Sequence, residues 1–121
     1  MSKNMEISFL LDFYGDMLTE KQRMMVDYYY NEDLSLAEIA ENEGITRQGV
    51  RDSIKRAEAQ LLEMEERLAL AARFRRMQND LQKVQESAQL LRQVNDRNGR
   101  IPEIEEIAAS IIAAAERIAE A

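Results

Sequence analysis

The chain has no cysteine and no histidine in its 121 residues, with a single proline and four glycines. Without cysteine there are no disulfides and no thiolate chemistry, and without histidine the commonest acid–base and zinc-binding side chain is gone. Most catalytic and metal-binding schemes therefore lack the residues they need. The few glycines form no phosphate-cradling loop. Acidic pairs such as Glu65-Glu66 and Glu105-Glu106 are helix neighbours that cannot face each other. No catalytic residue, cofactor or metal ligand is expected. Long apolar runs are also missing, so no segment reaches the length of a membrane span. The first residues do not combine a basic start, an apolar stretch and a small-residue cleavage site. The cytoplasm is the expected location, without membrane insertion. A chain this short has room for one compact domain and an extension, and buries a limited fraction of its surface unless it pairs.

What is present is a run from Ser35 to Lys55 that reads as two helices joined by a tight turn. Ser35 and Glu38 make a capping box, Leu36, Ile39 and Ala40 supply an apolar face, and Gly44 ends the helix because glycine accepts a left-handed conformation. Thr46 then caps a second helix. Its Val50 and Ile54 lie one turn apart on the inner face, while Arg47, Gln48, Arg51 and Lys55 point away. Outward arginine, glutamine and lysine at the start of a second helix suit phosphates and base edges in a major groove. Upstream, Thr19 and Gln22 form another capping box ahead of a helix with Met24, Met25, Val26 and Tyr28-Tyr29-Tyr30. The tyrosines point three ways around that helix, so at least one ring is expected at the surface. Ile7, Phe9, Leu10, Phe13, Tyr14 and Met17 read as a core helix that roofs the module.

The arrangement L-T-x-x-Q, S-L-A-E-I-A and G-I-T-R-Q-x-V-R resembles the fourth region of bacterial sigma factors, which binds the −35 promoter element. A denser likeness runs through Asp12-Phe13-Tyr14-Gly15, Leu18 to Arg23, Tyr28-Tyr29, Asp33 to Leu36, Thr46-Arg47-Gln48 and Ile54-Lys55-Arg56. Over about residues 7 to 70 the chain resembles the YlxM family of small bacterial helix-turn-helix proteins. The resemblance implies a small cytoplasmic regulatory protein linked to the signal recognition particle pathway. The sequence departs from the family pattern at Glu43, where a large apolar side chain is usual, and at Gly49, which costs a helix about 1 kcal/mol relative to alanine.

The net charge of −7 is unevenly spread. Residues 1–46 carry −7, residues 47–100 carry +4 and residues 101–121 carry −4. Positive charge thus begins at the proposed recognition helix, as a nucleic-acid reader requires. Acidic flanks weaken phosphate binding by one module, and pairing two modules or tethering to a larger machine offsets this.

The second half supplies a means of pairing. Val50, Ile54, Ala57, Leu61, Met64 and Leu68 recur at steps of four and three, as do Phe74, Met77, Leu81, Val84, Ala88 and Leu91. Between Leu68 and Phe74 the phase slips, and Leu70, Ala71 and Ala72 widen the stripe. Either the helix breaks near Arg73 or it continues from Arg47 to Val94, a length of roughly 70 Å. Asn95 to Arg100 is a polar, turn-rich break. Pro102 then opens a last helix with acidic first turns and an apolar face of Ile104, Ile107, Ile111, Ala115 and Ile118, broadened by Ala108 and Ile112. That helix could fold back on Phe74 to Leu91 as an antiparallel hairpin whose edges complete a bundle in a homodimer.

The expected fold is all-α. Residues 1–70 form a helix-turn-helix module without a wing, and residues 71–121 form an amphipathic helical extension for packing or dimerisation. The expected function is DNA binding by a regulatory protein, with Thr46, Arg47, Gln48, Arg51, Lys55 and Arg56 at the nucleic acid. The alternative is an adaptor for protein or RNA of the signal recognition particle machinery. Each feature also has a plainer reading. The basic row could be a solvated helix face, Arg56 could pair with acidic neighbours, Asp52 sits where it would approach phosphates, and Arg73, Arg75 and Arg76 could be a solvated run.

Overall fold

Short polar side chains set the helix starts. Thr19 Oγ1 accepts from the Gln22 amide at 3.2 Å while Gln22 Oε1 accepts from the Thr19 amide at 3.1 Å. Ser35 and Glu38 repeat this box at 3.1 and 3.2 Å, and Thr46 Oγ1 accepts from the Gly49 amide at 2.9 Å. Each bond satisfies an amide that the first helical turn leaves without a partner. The computed structural model describes residues 3–120, and among these there is no strand. Six helices follow in order: α1 (Glu6–Tyr14), α2 (Glu20–Tyr30), α3 (Leu36–Glu43), α4 (Arg47–Leu68), α5 (Leu70–Arg97) and α6 (Pro102–Glu120), with a 3-10 turn at Gly15–Met17 after α1. The all-α expectation holds. None of these helices is long and apolar enough to cross a membrane.

The chain divides into two compact units, one up to Ala72 and the other from Arg73. In the first, α4 presents Val50, Ile54, Ala57 and Leu61 as a fully buried row. Against it pack Ile7, Leu10 and Tyr14 of α1, Met25, Val26, Tyr29 and Tyr30 of α2, and Ile39 and Ala40 of α3. Full burial of each large apolar side chain in this set stabilises by roughly 1.5–3 kcal/mol. Two tyrosines reach from this core to carboxylates on α4, Tyr30 to Glu58 and Tyr14 to Glu65. Lys3 ties the N-terminal segment to the α2–α3 loop, with Nζ donating to the Tyr29 carbonyl at 2.8 Å and to Asp33 at 2.6 Å.

Several expectations are corrected here. All three tyrosines are at least half-buried, because α1 and α4 cover different sides of α2. Met17, read as core, is exposed, since the 3-10 turn lies past the packed face of α1, and Leu68 at the end of the α4 seam is exposed as well. The helix breaks at Ala69, within the stretch between Leu68 and Phe74 where the apolar phase slips, and α5 runs unbroken through Arg73. Ala69 adopts a left-handed conformation (φ 54°). The new helix is started by tertiary contacts: Tyr14 Oη accepts from the Leu70 amide at 3.1 Å, and the Glu65 carboxylate accepts from the Ala71 and Ala72 amides, each at 3.0 Å. Tyr14 in turn donates to Glu65 at 2.6 Å.

In the second unit α6 returns antiparallel along α5. Arg92 pairs with Glu105 at 2.6 Å, Ile111 sits beside Val84, Ala88 and Leu91, and Ala119 lies near Gln78 and Gln82. Buried Asn95 closes the turn, its side chain donating to the Ile101 carbonyl at 2.8 Å and accepting from the Ile101 amide at 2.9 Å. Of the apolar face expected on α6, Ala108 and Ala115 are buried, as is Ala88 of α5, and Ile104 and Ile112 are partly buried, while Ile107, Ile111 and Ile118 remain exposed as an edge of that face.

Two predictions follow from these contacts. A left-handed alanine costs roughly 1–2 kcal/mol, part of which glycine loses again to unfolded-chain entropy. Ala69→Gly should therefore raise stability by up to about 1 kcal/mol in chemical denaturation. For the tyrosines, burial foremost and then the Glu65 and Glu58 carboxylates push the Tyr14 and Tyr30 hydroxyls above their ordinary value. Their contribution is complete below about pH 10 and is lost as pH rises through the raised folded-state values. The Tyr14→Phe, Tyr30→Phe double variant should be less stable at neutral pH by about 2 kcal/mol. It should also lose stability less steeply than the native chain above about pH 10.

Candidate nucleic-acid interface

The turn between α3 and α4 is built by backbone chemistry. Gly44 takes the left-handed conformation (φ 68°), and the Ile45 amide donates back to the Ala40 carbonyl at 3.1 Å. This closes α3 within three residues of the start of α4. Glu43, at the end of α3, is half-buried. Thr46 is then placed to cap α4, and its hydroxyl serves the Gly49 amide. Gly49 has a steric reason to be small. A Cβ there would stand 3.2 Å from Thr46 Oγ1 and 3.6 Å from Ile45 Cδ1, crowding the capping oxygen.

Burial of Val50 and Ile54 turns the opposite side of α4 outward. Thr46, Arg47, Gln48, Arg51, Lys55 and Arg56 are all exposed, spread over the first three turns of α4 and its cap. Among the described residues none of the four cations in this set has an ion-pair partner, so Arg56 does not pair with acidic neighbours. The amides of Arg47 and Gln48 precede the capped one at the positive end of the helix. Asp52 is not a bare carboxylate here. It accepts from Gln48 Nε2 at 2.9 Å. A carboxylate offers no proton, so the amide must turn its nitrogen toward Asp52, leaving Oε1 and a second hydrogen free. The sequence reading noted Asp52 without this partner, although spacing of four along a helix is the signal for such a pair. Among the described residues no group of three or more His, Cys, Asp or Glu could hold a metal ion.

This is a capped helix-turn-helix, α3 and α4, supported by α1 and α2, and the chain's likeness to known proteins agrees with it. A family model described as "UPF0122: Putative helix-turn-helix protein, YlxM / p13 like" matches residues 1–101. The chain belongs to the UPF0122 family. A UPF0122 protein of Halalkalibacterium halodurans is 46% identical over 87 residues, which cover 72% of this chain and 80% of its own. UPF0122 proteins of Thermoanaerobacter sp. and Shouchella clausii are 43% and 40% identical over 106 and 108 residues. These cover 87% of this chain in both cases, and 90% and 99% of theirs. The UPF0122 match takes in both helices of the motif and reaches the turn before α6.

The crowding at Thr46 gives a coupled prediction. Thr46→Ala should cost about 1 kcal/mol through the lost cap. Gly49→Ala should add about 1 kcal/mol of helix preference in that variant but much less in the native chain, where the new methyl meets Thr46 Oγ1. A double-mutant cycle by chemical denaturation measures the difference; strict additivity would contradict the steric account.

Proposed function

We propose that this chain is a DNA-binding regulatory protein that works as a homodimer, with the first turns of α4 in the major groove. The observation that carries the reading is the exposed, unpaired row of Arg47, Arg51 and Lys55, with Arg56 exposed on the next side, on a helix whose Val50, Ile54, Ala57 and Leu61 are locked into the core. Arginine and lysine meet phosphates and guanine edges, and Gln48, with Oε1 and one amide hydrogen free, carries the two groups that pair with adenine N6 and N7. Thr46 and the open amides at the start of α4 are suited to a phosphate. The acidic remainder of the module opposes the DNA field, so affinity from one module is low. Two modules in one dimer multiply the effective concentration of the second contact.

A second reading draws on the groove between α1 and α2, lined by Asp12, Asp16, Glu20 and Asp27 with Arg23. An acidic groove beside exposed Met24 suits a basic protein partner, and an adaptor role in the signal recognition particle pathway would use it.

Binding of the purified native chain to a genomic DNA pool, followed by salt titration, separates the two. Each phosphate contact contributes a slope of about −0.9 to log K against log salt, so four cations give about −3.6 per module. Arg47→Ala with Arg51→Ala should reduce that magnitude by about 2 per module and abolish enrichment of discrete sites. No salt-dependent binding at low ionic strength overturns the DNA reading. Retention of particle protein or RNA equally by native and variant chains transfers the function to the acidic groove.

A further inference from the structure

The hairpin of the second unit has almost no interior of its own. From Arg73 onward the only buried side chains among the described residues are Ala88, Asn95, Ala108 and Ala115. Six of the exposed large apolar groups lie to one side, apart from Leu90, Val94 and Ile101. At 100° per residue, Met77, Val84 and Leu91 follow one flank of the line along which α5 meets α6, and Ile107, Ile111 and Ile118 follow one flank of α6. Ile111 joins Val84, Ala88 and Leu91 in a single shallow groove, so the two flanks make one continuous face. These six side chains are between 38% and 59% exposed. The opposite face is richer in polar groups, with Gln78, Gln82, Gln85, Gln89 and Gln93 beside Glu86 and Glu116, interrupted by Leu90 and Ile112.

We propose that the apolar face is covered by the same face of a second copy, turned end over end, so that two hairpins close an antiparallel four-helix bundle. This deepens the homodimer reading and rests on it, but does not depend on DNA binding. Charge selects both the occupant and its direction. At the open end of the hairpin Arg73, Arg76 and Lys83 of α5 border the face, with Asp80 among them, while the α6 charges there, Glu116, Arg117 and Glu120, lie away from it. At the turn end α6 carries Glu103 and Glu106, against Arg97 on α5. Among the described residues none of these has an ion-pair partner. A two-fold axis crossing near Val84 and Ile111 brings each basic end beside the other copy's acidic end. A copy pointing the same way sets like charge on like. A two-fold contact is self-complementary and closed, so it covers the face without leading to a fibre. The glutamine face stays in water, and the bundle gains the layer of large side chains that three alanines cannot supply.

The absence of cysteine gives a clean background for the test. Sedimentation velocity of the full chain should show a dimer. Ile111→Glu should raise its dissociation constant by at least about a hundredfold, while Gln85→Glu on the opposite face leaves it unchanged. With a short thiol-specific bifunctional linker, Ile111→Cys near the axis should join to itself. Arg76→Cys should join to Glu103→Cys in a mixed sample, but not to itself. These cysteine variants are mild enough to decide the matter if Ile111→Glu does not fold. A monomeric native chain overturns the homodimer reading and this face together. A dimer indifferent to Ile111→Glu, with no linkage through Ile111→Cys, overturns the face alone. Self-linkage of Arg76→Cys overturns the antiparallel direction.

Discussion

Everything in the N-terminal unit depends on one row of side chains, Val50, Ile54, Ala57 and Leu61, that α4 keeps out of water. α1, α2 and α3 each pack on that helix. A helix buried along one side is denied rotation about its axis, because turning it would bring arginine into the core and valine into solvent. The outward direction of Arg47, Arg51 and Lys55 is thus a by-product of hydrophobic packing and not of any contact those residues make. The caps work with the same constraint. Thr46 sets where α4 begins, Gly44 sets how quickly the chain turns into it, and the buried row sets which way it faces.

The polar contacts between helices are few and are placed where packing alone leaves a choice. Tyr30 and Tyr14 reach Glu58 and Glu65, seven residues apart on α4 and therefore on the same side of it two turns on. Glu65 then accepts from the first amides of α5. A single carboxylate consequently holds α1, the end of α4 and the start of α5 in one arrangement. The left-handed backbone at Ala69 is tolerated because these bonds, absent from a straight continuation, offset its strain.

Local chemistry made much of this legible before any coordinates. Both capping boxes, the Thr46 cap, the Gly44 stop and the inner position of Val50 and Ile54 depend on residues within a turn or two of one another, and pattern reading captures such spacing. The phase slip between Leu68 and Phe74 marked the break, but not its exact residue, because alanine carries no mark of a left-handed position and the stabilising partner Tyr14 lies 56 residues from Leu70. In the hairpin, periodicity marked the apolar face of α6 with Ala108 and Ala115 in it, but not which members of that face are buried, and Ile107, Ile111 and Ile118 lie along its exposed edge. At the candidate interface the exposed residues followed from the buried ones. The steric reason for Gly49 and the bond between Gln48 and Asp52 needed atomic positions.

The junction at Tyr14 also defines where the N-terminal unit can be cut. A fragment ending with α4 would retain every residue of the motif yet strip Ala71 from the core, leave the Tyr14 hydroxyl without the Leu70 amide, and take the Ala71 and Ala72 amides from Glu65. A cut after Ala72 keeps all of these contacts within the N-terminal unit, one turn into α5. Modular as the chain is, its two parts share a helix and not a linker, so shuffling either one onto another protein carries a piece of its neighbour along.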